Sequence, residues 1–148
     1  MNAAAQFADW RAVTRVIARY GRFADQRRPE DMADLFVADG RMLMYRPRAE
    51  TPAESPQGRE QLIRAFSALS QFAVTSHVLS PSDVEIDGDN ARVHTYCMSH
   101  HIREAPDGRT RFTLADRYDD TLVRVGDQWL FQERRKYTDW TESTPLRR

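Results

Sequence analysis

The spacing of apolar residues changes along the chain, from a helical period before Phe72 to an alternating pattern after it. From Phe7 to Ala24, apolar residues recur every three or four positions, which is typical of an amphipathic helix with one buried face. Gly58 to Leu69 returns to that spacing. Residues after Phe72 alternate between apolar and polar, as half-buried strands do. Helices followed by strands predict an α+β fold.

The segment between these two helices has a mixed pattern. Pro29 suits the first turn of a second helix, which we expect to carry Phe36 on its buried face and to end at Gly40. The short apolar stretch Arg41 to Arg46 predicts a strand. Three prolines then interrupt the chain between Pro47 and Gln57, so we predict a mobile lid there.

Turn residues divide the second half of the chain into strands. Asp87-Gly88, Asp107-Gly108 and Gly126-Asp127 favour tight connections between antiparallel strands. We therefore predict a strongly twisted antiparallel meander with the helices packed on one sheet face. Its strands are Phe72–Leu79, Val84–Ile86, Ala91–Arg103, Arg111–Val125 and Gln128–Tyr137.

Length and charge indicate one small domain without a charged macromolecular partner. A chain of 148 residues is an ordinary length for one domain, which we predict to span residues 1–148. Basic and acidic residues both number 22, which leaves no net field to attract nucleic acid or an anionic membrane. No apolar run approaches the roughly 20 residues of a membrane helix, and the N-terminus lacks a secretory pattern. We predict a cytoplasmic protein with a small-molecule partner, and no nucleic acid or membrane partner.

The histidines and the cysteine carry no metal or cofactor signature. The four histidines are His77, His94, His100 and His101. On a strand that rises about 3.3 Å per residue, His94 and His100 would be roughly 20 Å apart, and the adjacent His100 and His101 would point to opposite faces. A zinc site needs about three or four ligands. Cys97 lies mid-strand without an evident base, and no glycine-rich phosphate loop is present, so we predict no metal and no cofactor.

Tyr20, Asp25, His77 and either His100 or His101 form a set suited to acid–base chemistry. A carboxylate that accepts a hydrogen bond from one imidazole nitrogen fixes the tautomer of the ring and leaves the other nitrogen free to take a proton. A tyrosine hydroxyl can polarise a carbonyl or a departing hydroxyl. We therefore expect Asp25 and His77 to lie within hydrogen-bond distance. The alternative is structural, with Asp25 paired to nearby arginines and with Tyr20 and His77 held in the core.

Several local patterns resemble the SnoaL-like branch of the nuclear transport factor 2-like superfamily over nearly the whole chain. Besides Tyr20 and Asp25, the resemblance is carried by LFVADG (Leu35–Gly40), GREQLIRAF (Gly58–Phe66), SHVLSPSDVEIDGDNARVHTY (Ser76–Tyr96) and RYDDTLVRVGDQWLFQERR (Arg117–Arg135). It implies a cone-shaped α+β barrel, in which a curved antiparallel sheet wraps around three N-terminal helices and a hydrophobic pocket. Members include scytalone dehydratase, a dehydrochlorinase, polyketide cyclases, small subunits of ring-hydroxylating dioxygenases and binding proteins without catalysis.

The resemblance also implies roles for particular residues. In the dehydratases and the dehydrochlorinase, an aspartate at the end of the first helix pairs with a histidine on the first long strand, which matches Asp25 and His77. The dehydratase pattern places a tyrosine at Tyr20 and a second polar group at His101 or His100, of which we favour His101. For substrate binding we expect the aromatic residues Tyr45, Phe66, Tyr96, Phe112, Tyr118 and Trp140.

This combination favours a cofactor-independent lyase of dehydratase type, or a related isomerase or cyclase, acting on a small apolar or cyclic substrate. The isomerase branch uses an aspartate base on the sheet, and the sequence identifies no counterpart among Asp116, Asp119 and Asp120, so we favour elimination over steroid isomerisation. The alternatives are a ligand-binding module without catalysis and a small structural subunit of a dioxygenase. We also predict a homodimer, because the outer sheet face, with Leu130 or Phe131, needs a partner to bury it.

Overall fold

The computed structural model describes residues 2–147, which form helices mainly in the first half and strands mainly in the second. In chain order the elements are α1 (Ala3–Asp25), α2 (Pro29–Ala33), β1 (Phe36–Tyr45), α3 (Arg59–Ser67), a 3₁₀ turn (Ala68–Gln71), β2 (Val74–Leu79), β3 (Asp83–Asp87), β4 (Asn90–Ala105), β5 (Gly108–Val125) and β6 (Gln128–Leu146). The predicted α+β fold class is confirmed.

The long helix α1 packs against the sheet, with β2 as its main neighbour. Asn2 caps its N-terminus, where the side-chain oxygen accepts a hydrogen bond from the N–H of Ala5 at 2.9 Å. Buried side chains, among them Val13, Ile17 and Ala24, recur at the predicted helical spacing. Among residues 2–147, no helix is both long and apolar enough to cross a membrane.

The six strands form one curved, mixed sheet. Their order is β1-β6-β5-β4-β2, and β3 also pairs with β4. The pairings within the meander are antiparallel, as predicted, whereas β1 pairs with β6 in parallel. Gly88 and Gly126 lie in two-residue turns and have φ values of 58° and 60°. Glycine adopts this conformation without steric strain.

Strand β1 begins inside the segment that the sequence predicted to be helical. Helix α2 ends at Ala33 and Phe36 starts β1, so the predicted helix ending at Gly40 is wrong. Pairing with β6 overrides the helical pattern, because the N–H of Phe131 donates to the carbonyl of Leu35 at 2.8 Å. The register shifts after Phe36. A Cβ at Gly40 would lie 2.9 Å from the Cβ of Phe36, so this bulge requires glycine.

The proline-rich segment after β1 folds back along that strand. The N–H groups of Met42 and Met44 donate to the carbonyls of Pro56 and Glu54 at 3.0 and 2.9 Å. Backbone groups on the free side of an edge strand need such partners. The segment predicted to be a mobile lid is therefore hydrogen-bonded to the edge of the sheet at Glu54 and Pro56.

Side chains alternate between an inner face, covered by the helices, and an outer face. Inner positions of β4 and β5 include Cys97, Ser99, Asp116 and Tyr118, all of which are buried. Phe131 on β6 is also fully buried in this core. The prediction that Phe131 lies on the uncovered outer face is wrong, because a register shift in β6 turns its side chain inward.

An apolar row crosses the outer face at Val78, Met98, Ala115 and Trp140, which align from strand to strand. Val78, Met98 and Trp140 are 59%, 37% and 48% exposed. Because such patches mark association surfaces, we expect the predicted homodimer to bury this row. Met98→Glu should then convert a dimer to a monomer in light scattering at high micromolar concentration, whereas Val125→Glu, outside the row, should not. A monomeric wild-type protein at that concentration would contradict the prediction.

Candidate active site

Asp25 holds His77 at two points on the inner face of the sheet. Asp25 ends α1 and His77 lies in the middle of β2. His77 Nδ1 lies 2.7 Å from Asp25 Oδ1, and the His77 backbone N–H donates to Asp25 Oδ2 at 3.0 Å. The side chains of His77 and Asp25 are 8% and 31% exposed. The expected hydrogen-bond distance between the two residues is therefore observed.

The hydrogen bonds to Asp25 favour its ionised form and select one tautomer of the His77 ring. Partial burial acts to raise the pKa of Asp25, but hydrogen bonds from His77 and Thr75, with the attraction of His77, lower it below its usual value. An ionised carboxylate only accepts hydrogen bonds, so the proton of neutral His77 lies on Nδ1. Nε2 of His77 then carries a lone pair that can accept a proton.

A chain of hydrogen bonds continues from Asp25 to Arg27. Thr75 Oγ1 donates to Asp25 Oδ1 at 3.0 Å, and Arg27 Nη1 donates to Thr75 Oγ1 at 2.7 Å. The Arg27 guanidinium also donates to the carbonyls of Ala24 and Phe72 at 3.0 and 2.9 Å. Arg27 has a φ of 58°, which residues other than glycine rarely adopt. These contacts hold the end of α1 against β2 and so position Asp25.

His101 faces the same side of the sheet as His77. The two ring centroids are 5.6 Å apart, and only 8% of His101 is exposed. Burial, together with the positive charges of nearby groups, lowers the pKa of His101 to about 4, so its ring is neutral at neutral pH. Its buried Nε2 has no hydrogen-bond partner within residues 2–147. Since buried polar atoms are nearly always paired, this nitrogen is available to a ligand.

Asp116 forms a buried polar cluster on the inner face of β5. It is 2% exposed and accepts hydrogen bonds from Thr138 Oγ1 at 2.6 Å and from Ser99 Oγ at 3.2 Å. Lys136 Nζ lies 3.4 Å from Asp116 Oδ2. No aspartate on the sheet was predicted from the sequence to belong to the site. The signal that could have found one is the strand alternation, which places Asp116 and Tyr118 on the same face.

Tyr20 packs against the buried guanidinium of Arg134. The Cζ atom of Arg134 lies 4.2 and 4.0 Å from the ring centroids of Tyr20 and Tyr118. Arg134 Nε and Nη2 donate to the Asp120 carboxylate at 2.8 and 2.7 Å. The Tyr20 hydroxyl donates to the sulfur of Met42 at 3.3 Å. Burial raises the pKa of Tyr20, so its hydroxyl stays protonated.

Comparisons with known proteins agree with this architecture. Residues 5–135 match the family described as SnoaL-like domain. The chain belongs to the SnoaL-like domain family. The resemblance seen in the sequence motifs is thereby confirmed.

Two relatives of this SnoaL-like chain are more than 25% identical to it over the aligned residues. A putative scytalone dehydratase from Novosphingobium aromaticivorans is 26% identical, with a TM-score of 0.82 and coverage of 99% of this chain and 94% of that chain. An uncharacterised protein of Mycobacterium tuberculosis is 27% identical over 129 residues, which cover 87% of this chain and 84% of that protein. A hexachlorocyclohexane dehydrochlorinase from Novosphingobium barchaimii shares the fold, with 14% identity, a TM-score of 0.78 and coverage of 98% and 94%.

Three of the aromatic residues predicted to bind substrate lie on the inner side of the SnoaL-like sheet. Phe66 of α3 and Tyr118 of β5 are buried in the core. Phe112 of β5 lies directly opposite His101 of β4 and is half-buried. Of the three, Phe112 is therefore the one placed beside His101.

The remaining predicted site residues lie on the outer face. His100 lies next to His101 on the strand, so its ring points the other way, and its Nδ1 lies 3.0 Å from Thr113 Oγ1. Three aromatic side chains also have the outer-face parity and so do not face His77, namely Tyr45, Tyr96 and Trp140.

The outer face carries a second histidine–aspartate pair. His94 Nδ1 lies 2.6 Å from Asp119 Oδ1, but the side chains are 39% and 46% exposed. Water solvates both groups, so this pair lacks the enclosed setting of Asp25 and His77. Within the described part of the chain, no group of three or more His, Cys, Asp or Glu residues is arranged to hold a metal ion.

The lowered pKa of His101 should make the folded protein sensitive to acid. In the unfolded chain His101 takes up a proton near pH 6.5, whereas in the folded chain it does so only near pH 4. Stability is therefore full above pH 6.5 and is lost as the pH falls toward 4, by roughly 2–3 kcal/mol. Urea unfolding between pH 4 and 7 should show a shallower pH dependence for His101→Gln than for wild type. His100→Gln, on the other face, should keep the wild-type slope, and equal slopes for wild type and His101→Gln would contradict the prediction.

Proposed function

We propose that this protein is a cofactor-independent lyase that eliminates water or a comparable leaving group from a small apolar substrate, cyclic compounds included. The observation that carries the proposal is that Asp25 is hydrogen-bonded to both the ring and the backbone N–H of His77, beside the neutral ring of His101. The similarity to a putative scytalone dehydratase supports the same class of reaction.

In the proposed reaction, His77 Nε2 takes a proton from a substrate carbon. The electron pair of the broken C–H bond forms a C=C bond as the bond to the leaving hydroxyl breaks. The Asp25 carboxylate stabilises the imidazolium that forms on His77. That proton then passes to the departing hydroxyl, which leaves as water, and His77 returns to its initial state.

His101 is proposed to hold the oxygen of the substrate. A neutral imidazole can donate one hydrogen bond without bringing a charge into the site, and the unpartnered Nε2 of His101 is available for it. Tyr20 and His100 receive no step in this mechanism. The Tyr20 hydroxyl donates its hydrogen bond to the sulfur of Met42, and His100 lies on the outer face.

A panel of small cyclic β-hydroxy ketones provides a direct test, because elimination produces a conjugated enone that absorbs in the ultraviolet. We expect wild-type protein to form the enone and Asp25→Asn to form it roughly 10²- to 10⁴-fold more slowly. Equal rates for the two proteins would contradict the proposed role of the pair. Binding at His101 without product from any member of the panel would support a ligand-binding module instead.

A further inference from the structure

We propose that the groove leading to His101 binds molecules that carry an anionic group, and that Arg103 pairs with that group. The groove lies against the paired ends of β4 and β5, next to β6 and Phe72, and we call it the β4–β5 groove. The proposal adds a substrate class to the proposed lyase and rests on that function only in assuming that the bound molecule is also the one that reacts.

The β4–β5 groove has the size and walls of a small-molecule site. Its volume is about 410 Å³, within the range of about 300–1,000 Å³ that is usual for such sites. Phe72, Phe112 and Leu114 form apolar walls, and His101 and Arg103 also line it. The rings of Phe72 and Phe112 are 6.3 Å apart, centroid to centroid, so a flat apolar body can pack against both.

His101 connects the groove to the Asp25–His77 pair. Its ring packs against Phe72 at a centroid distance of 4.7 Å and lies 5.6 Å from the ring of His77. Its unpartnered, buried Nε2 is a polar atom for which only a ligand or water can supply the missing hydrogen bond. A molecule in the groove therefore contacts His101, whose ring lies next to that of His77.

Arg103 is held at the rim of the groove with most of its hydrogen-bonding capacity unused. Its guanidinium carbon lies 5.4 Å from the ring centroid of Phe72 and 5.1 Å from that of Phe112. Nη2 donates to Gln71 Oε1 at 2.9 Å. Within residues 2–147, no carboxylate forms an ion pair with it. A guanidinium has about five donors in a planar fork that matches a carboxylate, so Arg103 is oriented and still able to bind one.

The other charges on the groove restrict where an anion can lie. Glu142 lines the groove as well, and its negative charge disfavours an anion at that wall. Arg103 and His101 are two residues apart on β4, which separates their Cα atoms by about 6–7 Å. The matching ligand is a planar or cyclic apolar molecule with a carboxylate or similar anion about one ring away from the atom that faces His101.

Paired acid and amide ligands test this assignment without any catalytic step. We would titrate 2-naphthoate and 2-naphthamide, which differ in charge but hardly in shape, into isotope-labelled protein and follow the chemical shifts of His101 and Phe112. We expect wild type to bind the acid roughly tenfold more tightly than the amide. Arg103→Gln should remove that preference by weakening acid binding more than amide binding, whereas Arg103→Lys should retain part of the preference.

The matched control is Arg92→Gln, which removes the same charge from an exposed position on the outer face and should leave the preference intact. The assignment is overturned if wild type binds acid and amide equally. It is also overturned if Arg103→Gln weakens the binding of both ligands equally, or if Arg92→Gln also removes the preference for the acid. Chemical-shift changes confined to residues outside the groove would overturn it as well. Because these titrations measure binding and involve no catalytic step, their outcomes are independent of whether Asp25→Asn lowers enone formation.

Discussion

Replacing His77 with alanine or Asp25 with asparagine should lower turnover by the proposed lyase roughly 10²- to 10⁴-fold while the fold stays intact. His77→Ala removes the base itself. Asp25→Asn preserves the size of the side chain but removes the charge that stabilises the imidazolium. The new amide can also donate to His77 Nδ1, which would place the proton on Nε2 and block the acceptor.

The measurement is kcat with a substrate from the enone panel, and circular dichroism verifies the fold of each variant. Nitrogen chemical shifts of His77 report the tautomer without any substrate. The matched control is Ser76→Ala, because Ser76 is the exposed neighbour of His77 on the opposite face of β2. Wild-type turnover in a well-folded Asp25→Asn or His77→Ala protein would refute the proposed mechanism.

Asp120→Asn should lower the free energy of unfolding by roughly 3–5 kcal/mol, because it leaves the buried charge of Arg134 without a counterion. The side chains of Arg134 and Asp120 are both 0% exposed and share two hydrogen bonds. The rings of Tyr20, Tyr118 and Phe131 surround the guanidinium at 4.0–4.4 Å. This is a large part of the roughly 5–15 kcal/mol that stabilises a typical domain.

Urea unfolding at pH 7 measures this loss. Asp119→Asn is the matched control, since Asp119 is the next residue and its side chain is 46% exposed. Exposed ion pairs contribute about 0–1 kcal/mol, so this variant should unfold almost like wild type. A loss of comparable size in both variants would show that Asp120 has no special role in the core.

Much of the fold was predictable because each element carries its own local signal. The helical spacing of α1 and the alternation of β4 and β5 follow directly from which side of each element is buried. Strand alternation also separated His101 from His100 and correctly placed them on opposite faces. The same rule, applied with the register now observed, explains why Tyr45, Tyr96 and Trp140 lie on the outer face. Their aromatic character alone does not say which face they occupy.

The sequence by itself determined most of the element types, the α+β class and the candidate pair Asp25 and His77. Only the tertiary structure decided that β1 starts at Phe36, that Asp116 is buried, and that Thr75 and Arg27 extend the hydrogen bonds of Asp25. Those contacts join residues far apart in the chain, such as Asp25 and Thr75, which are 50 positions apart. Periodicity specifies which side of an element is buried, whereas the partner of each side chain depends on strand register and on how α1 meets β2.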